Sequence, residues 1–257
     1  MQWFEIDTVD EDTYIISENK HWEEFNTYYL LGERYNLVID CGIGIYQIQD
    51  LLNKIDGKAK KLIITHMHWD HIGNIEEFKE VYLSEKANYY FKNGYWEPIE
   101  EVRAKVIRDV DQNMLPDDFN IDEYEIEKSK RGKVIKEGET FRLGNREVEV
   151  IETPGHTKDH ICLYDKTNKY LFAGDFIYQG PLYLERDYTD IEDYFLSLKK
   201  IIENYPEIEK ILSSHYKPEI SYKYLKEIYQ FILKLKEKGV FKQGTGIHKN
   251  NKHEIIL

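Results

Sequence analysis

The run Lys61-Leu-Ile-Ile-Thr65 passes without a break into His66-Met-His-Trp-Asp-His71, and this junction constrains the chain more than any other stretch. A short continuous apolar run reads as a strand buried on both faces. Three imidazoles and a carboxylate then fall within six residues at its C-terminal end, where a chain leaving a strand can turn several side chains toward one point. Imidazole and carboxylate suit Zn²⁺, Mn²⁺ or Fe²⁺, and the lack of a neighbouring thiolate removes the softest metals. A surface loop that holds three histidines by chance is a poor alternative, because the chain has only nine histidines in 257 residues.

Around this junction the chain alternates between short strands and helices. Tyr14-Ile-Ile-Ser, Thr27-Tyr-Tyr-Leu-Leu and Leu37-Val-Ile-Asp predict a β-meander, followed by a helix over 47–53 and the strand that feeds the histidines. From Ser84 to Lys130 the pattern turns helical and aromatic, with Tyr89, Tyr90, Phe91, Tyr95 and Trp96 close together. Between Glu97 and Lys130 there are 11 acidic and five basic residues, a net −6, so that 84–130 is expected to be an insertion. Strand patterns resume at Lys133, Thr140, Glu147, His160 and Tyr170, then a helix near 190–203, a strand at Lys210-Ile-Leu-Ser and a helix over about 218–238. Each half thus runs from a meander into β-α-β. This order predicts an α/β protein, a four-layer αββα sandwich, forming a single domain over 1–257 with an internal pseudo-repeat.

Composition narrows the function classes. Thirty-five Lys and Arg against 48 Asp and Glu leave a net charge of −13, which repels phosphate backbones and makes nucleic acid a poor partner. No apolar run reaches the roughly 18 residues that cross a bilayer, and acidic residues stand where an export signal would be basic. A cytoplasmic protein with no membrane partner is expected. Cys41 and Cys162 are far apart and read as small buried residues of a reducing compartment. The stretch from Tyr216 to Lys252 carries nine Lys and three Glu, a net +6, and reads as a solvated helix face plus a tail. His21, His248 and His253 are expected to face solvent.

His66-x-His68-x-Asp70-His71 resembles the signature of metallo-β-lactamase-fold hydrolases. Thr153-Pro-Gly-His156-Thr resembles that family's third-histidine loop, Phe172-Ala-Gly-Asp175 its bridging aspartate, and Ser213-Ser-His215 its last histidine. Val38-Ile-Asp40-Cys-Gly resembles the element whose aspartate supports the metal loop, which makes Cys41-Gly-Ile-Gly44 a turn and not a dinucleotide site. The resemblance covers about residues 10–220. It implies one ion on His66, His68 and His156, a second on Asp70, His71 and His215, and Asp175 bridging both. The cofactors implied are two divalent metal ions, zinc first, with iron or manganese as alternatives.

Such a pair shares a water and presents it as hydroxide to an electrophilic carbon or phosphorus. Asp70 would orient that nucleophile and pass a proton to the leaving group. Tyr178, three residues past Asp175, is a candidate oxyanion donor by proximity in sequence, against the plainer reading of one packed tyrosine among 21. His160 is expected to pack or to support a ligand. Family β-lactamases generally lack the bridging aspartate, nucleases of the fold carry basic RNA-binding arms, and flavodiiron proteins replace a ligand histidine with glutamate. What remains is the branch resembling glyoxalase II, acyl-thioesterases and lactonases, hence a hydrolase of a small ester, thioester or lactone. An iron-dependent persulfide dioxygenase and a phosphodiesterase of the same fold are the alternatives.

Overall fold

The computed structural model describes residues 3–93, 97–126 and 132–257. Tyr95 and Trp96 of the expected aromatic cluster lie outside the described residues. The chain forms two compact units, one of residues 1–135 with 142–146, the other of 136–141 with 147–257.

The first unit is built on a seven-stranded sheet in sequence order. Strands β1 (Glu5–Asp10), β2 (Thr13–Glu18), β3 (Phe25–Leu30) and β4 (Asn36–Ile39) form the antiparallel meander. Strands β5 (Lys60–Ile63), β6 (Val81–Ser84) and β7 (Gly132–Ile135) then add in parallel. Parallel neighbours need crossovers. Helix α1 (Gln49–Ile55) supplies one, and the short helix α2 (Trp69–Ile72) opens the next. Helices α3 (Glu85–Asn93) and α4 (Ile99–Val106) lie in the crossover from β6 to β7, so the 84–130 segment joins two adjacent strands of the sheet. The core of the unit includes Phe25, Tyr29, Val38, Leu62 and Ile64, all fully buried. β1 and β6 were not anticipated. β1 is largely exposed, so its apolar signal is weak.

The second unit carries a six-stranded sheet of β8 (Thr140–Arg142), β9 (Glu147–Glu152), β10 (Ile161–Asp165), β11 (Tyr170–Gly174), β13 (Lys210–Ser213) and β14 (Glu219–Ile220). A further strand, β12 (Pro181–Tyr183), leads into helix α5 (Ile191–Asn204). Helix α6 (Tyr222–Glu237) follows β14, so the expected helical start at 218 is displaced by a strand that pairs with β13. The Lys-rich stretch is likewise more than a helix and a tail. β15 (Ile247–Lys249) and β16 (Glu254–Ile256) form a hairpin, and β16 pairs in parallel with β12 to make a three-stranded sheet. Ile255 and Leu257 are buried and anchor this sheet. The core of the unit includes Leu171, Phe176, Tyr194, Leu198 and Ile228.

Two expectations about histidines are overturned. His21 is only 2% exposed and His253 only 5%. Polar neighbours in sequence suggested solvent, but His21 packs on Trp22 and Trp69, and His253 packs on Tyr224 and Phe231. Cys41 and Cys162 are free and buried as expected, and burial pushes the Cys162 thiol up to about 12.

Candidate metal centre

In the first unit, β4 and β5 are parallel neighbours, and the residues just past their ends meet. Asp40 follows β4 with φ of 57°, and Thr65 and His66 follow β5. The fully buried Asp40 carboxylate accepts from the Thr65 backbone N–H and from Thr65 Oγ1, each at 2.8 Å, and lies 2.7 Å from His71 Nδ1. This network fixes the tautomers. The Thr65 hydroxyl spends its proton on Asp40, so at 3.0 Å it accepts from His66 Nδ1, leaving the His66 Nε2 lone pair for a ligand bond. His71 spends its Nδ1 proton on Asp40 in the same way and presents Nε2.

His66 Nε2 and His68 Nδ1 are 2.9 Å apart, and His71 Nε2 lies 3.6 Å from Asp70 Oδ2. Two nitrogens that share one tetrahedral ion through bonds of about 2.0 Å stand roughly 3.3 Å apart, so both pairs have the spacing of common ligands. The four side chains therefore divide into two pairs within one loop.

Contact between two backbones holds that loop. The Gly73 N–H donates to the Gly42 carbonyl and the Cys41 N–H to the His71 carbonyl. A Cβ at Gly73 would fall 2.2 Å from the Ile43 carbonyl group, and one at Gly44 would fall 2.6 Å from Gly73 O. The Cys41-Gly-Ile-Gly44 segment is thus a turn, as the sequence predicts, and it seats the loop that carries His66 to His71. Two residues that the sequence did not single out complete the support. Glu18 accepts from Trp3 Nε1 and from the Ile43 N–H, and Glu77 accepts from the Ile48 and Gln49 N–H groups at the start of α1. Burial raises the Glu18 carboxyl to about 7. A glutamate closing an otherwise apolar strand, Tyr14-Ile-Ile-Ser-Glu18, is the one sequence signal for it.

In the second unit β11 and β13 are parallel neighbours, so Asp175 and His215 emerge side by side. Asp175 Oδ1 lies 3.1 Å from His215 Nε2, while Oδ2 lies 3.5 Å from His156 Nε2. One carboxylate therefore offers each of its oxygens to a different imidazole, the disposition a bridging ligand requires. His156 sits on a loop clamped to α5. The Asp190 N–H donates to the Gly155 carbonyl and Ser197 Oγ to the Pro154 carbonyl. A Cβ at Gly155, whose φ is 141°, would lie 2.3 Å from the Tyr194 backbone.

His160 supports Asp175. Its Nε2 accepts from the Asp175 N–H at 3.2 Å, so Nδ1 carries the proton and donates to Thr153 Oγ1 at 2.8 Å. Tyr178 packs its ring edge-on to His215, with centroids 5.7 Å apart, and its hydroxyl donates to the Pro181 carbonyl at 2.9 Å. Burial pushes that hydroxyl well above its ordinary range, so it remains a neutral donor.

Within each unit, then, the expected residues come together: His66, His68, Asp70 and His71 in the first, His156, Asp175 and His215 in the second. The first unit offers three imidazoles and one carboxylate and the second two imidazoles and one carboxylate, donors suited to borderline or hard divalent cations.

Residues 22–215 match the family model of the metallo-beta-lactamase superfamily, from just after His21 to the last of the expected ligands. The acyl-coenzyme A thioesterase MBLAC2 of Gallus gallus is 26% identical over 230 residues, covering 84% of this chain and 82% of that one. The metallo-beta-lactamase fold-containing protein ST1585 of Sulfurisphaera tokodaii is 30% identical over 213 residues, covering 76% and 78%. The solved structure of ST1585 superposes with a TM-score of 0.62 at 20% identity, covering 87% of each chain. A metallo-beta-lactamase from Pontibacter korlensis superposes at 0.64, with 19% identity over 88% of this chain and 97% of its own. Such likenesses, with the thioesterase among the relatives, support a metal-dependent hydrolase. By its sequence and its fold, this chain belongs to the metallo-β-lactamase superfamily.

Proposed function

We propose that this protein is a dinuclear metal-dependent hydrolase of small ester, thioester or lactone substrates, with thioesters first among them. The observation that carries the dinuclear reading is Asp175, whose two oxygens each face a different histidine. In this reading His66, His68 and His156 hold one ion, Asp70, His71 and His215 hold the other, and Asp175 bridges. The donor set admits zinc, with iron and manganese as alternatives. The whole chain acts as one domain, with 84–130 as its insertion. Relatives that include acyl-coenzyme A and acyl-carrier-protein thioesterases and a hydroxyacylglutathione hydrolase favour the thioester.

When bound, two divalent ions would supply Lewis acidity and lower the pKa of the attacking water. The residues of the chain do the rest. Asp40 and Thr65 hold the His66 and His71 tautomers, and His160 holds the Asp175 backbone. Asp70 takes the proton of the attacking water as the carbon–oxygen bond forms, and returns it to the sulfur as the carbon–sulfur bond breaks. Tyr178 keeps His215 in place through its ring.

The test is a metal-loaded preparation assayed against thioesters, lactones and esters, with metal content measured in parallel. Two metal equivalents per chain and thioester turnover are expected, and Asp70→Asn should lower kcat by two or more orders of magnitude without altering the circular dichroism spectrum. No turnover across the panel, or near-full activity in Asp70→Asn, would overturn the reading.

A further inference from the structure

The second unit contains a cavity of about 650 Å³ outside the ligand cluster, a volume suited to a nucleotide-sized group. Three lysines line it, Lys223 from α6 and Lys249 and Lys252 from the C-terminal hairpin, against two carboxylates, Glu227 and Glu254. Lys223 Nζ and Lys252 Nζ lie 3.8 and 3.2 Å from the same oxygen of Glu227, and His253 Nε2 lies 3.6 Å from the other. Two ammonium groups thus gather around a single carboxylate, with an imidazole nitrogen just beyond hydrogen-bond distance. Lys249 pairs with Glu254 at 2.9 Å, which leaves one positive charge in excess.

Two further features show that this is more than a solvated lysine patch. His253 is 95% buried on the cavity wall, and its Nδ1 has no hydrogen-bond partner among the described residues. The wall also includes Ser221, Lys223 and Tyr224, the first turn of the 16-residue α6. Helix starts favour anions, and α5 has Glu192 and Asp193 there, but α6 has no acidic residue in its first turn and carries a lysine instead. The anion beside Lys223 is Glu227, already shared with Lys252, so an incoming anion would compete with that carboxylate for both lysines.

The cavity wall is linked to His215 through Tyr178. Gly180 and Pro181 line the cavity, Tyr178 donates to the Pro181 carbonyl, and the Tyr178 ring packs on His215. Gly180 is confined by Tyr216, since a Cβ there would lie 2.4 Å from that ring.

We infer that this cavity binds the phosphate-bearing end of the substrate's thiol carrier, a nucleotide diphosphate or phosphomonoester. The inference rests on the thioester reading above, but its binding step can be measured without turnover. The probes are coenzyme A and its phosphate-free fragment pantetheine, titrated calorimetrically into the full chain. Coenzyme A should bind at least tenfold more tightly than pantetheine. The double variant Lys223→Gln/Lys252→Gln should weaken coenzyme A binding about tenfold and collapse its advantage over pantetheine. Glu227→Gln, which removes the competing carboxylate, should tighten coenzyme A binding several-fold, a gain that misfolding would not produce. Unchanged coenzyme A affinity in the lysine variant, or equal binding of the two probes to the wild type, overturns the inference. Lysine-dependent binding without thioester turnover would sink the proposed reaction and leave this site standing. Turnover with lysine-independent binding would do the reverse.

Discussion

Each unit places an aspartate just past the end of a strand, beside a parallel neighbour that delivers histidine, yet the two aspartates are used differently. Asp40 of the first unit is fully buried, and its partners are a hydroxyl, a backbone N–H and the Nδ1 of His71. It acts through the ligands by setting which nitrogen each presents. Asp175 of the second unit turns its two oxygens toward the Nε2 atoms of His156 and His215. The same topological position thus yields a positioning residue in one unit and, in the proposed reading, a direct ligand in the other. The side chain's depth and the partners that saturate it decide which.

The sharpest way to break this comparison is to neutralise the direct ligand. Asp175→Asn should lose one metal equivalent per chain and about a thousandfold in kcat, corresponding to about 4 kcal/mol of transition-state stabilisation. Metal analysis by mass spectrometry alongside steady-state kinetics reads both. Retention of two equivalents would remove Asp175 from the bridge.

Asp40→Asn should cost less. An amide at this position can still accept from Thr65 but no longer draws the His71 Nδ1 proton with a full charge. Loss of such a support typically lowers metal affinity or activity 10- to 100-fold. Titration of the apo-protein with zinc in a competing chelator would measure it. A loss as large as that of Asp175→Asn would erase the distinction between the two aspartates.

Much of this was readable in the sequence, and the failures share a cause. The run Lys61–Thr65 identified a buried strand because both its faces are apolar, and the expected ligands were visible because they crowd a strand end. The exposed strand β1 and the two-residue β14 carry little periodicity, so pattern reading passed over them. The C-terminal hairpin was hidden because lysines dominate its composition, whereas His253, Ile255 and Leu257 do the burying. His21 and His253 were misplaced for the same reason: aromatic partners distant in sequence, Trp69 and Phe231, determine their burial. The role of His160 depends on a hydrogen bond from Asp175, 15 residues away, which no local pattern encodes.

The buried groups behind the two ligand sets also differ, and pH exposes the difference. In the first unit His21 bonds the Val106 carbonyl at the end of α4 and packs on Trp69 inside the metal loop. Burial lowers its imidazole from 6.5 to about 4. The folded state favours the neutral ring, so this contribution is intact above pH 6.5 and is lost as pH falls toward 4. Glu18, raised from 4.5 to about 7, works in the opposite sense and favours folding as pH falls from 7 to 4.5. Urea unfolding of the metal-free protein between pH 4.5 and 7 should therefore show a difference of slope between variants, on the order of 2 kcal/mol across the window. His21→Gln should gain stability relative to wild type on acidification, and Glu18→Gln should lose it. Parallel profiles for both variants would show that neither group carries the linkage.

The smallest expected effect concerns tyrosine. Tyr124 of the first unit donates its hydroxyl to the Ile43 carbonyl at 2.7 Å, pinning the turn that seats the metal loop. Tyr178 of the second unit donates to the Pro181 carbonyl in the same manner, with its ring on His215. If the two are equivalent, each hydroxyl serves backbone placement and the ring does the packing. Tyr178→Phe keeps the ring, so kcat should change less than about threefold while stability falls by about 1 kcal/mol, the usual loss for one buried hydrogen bond. An oxyanion donor behaves otherwise, since removing one typically costs about 10²–10³ in kcat. Steady-state kinetics of this variant thus separates a tyrosine that holds His215 in place from one that acts on the substrate. A hundredfold loss of kcat with unchanged metal content would end the equivalence of the two tyrosines, because the hydroxyl would then have to leave Pro181 during turnover.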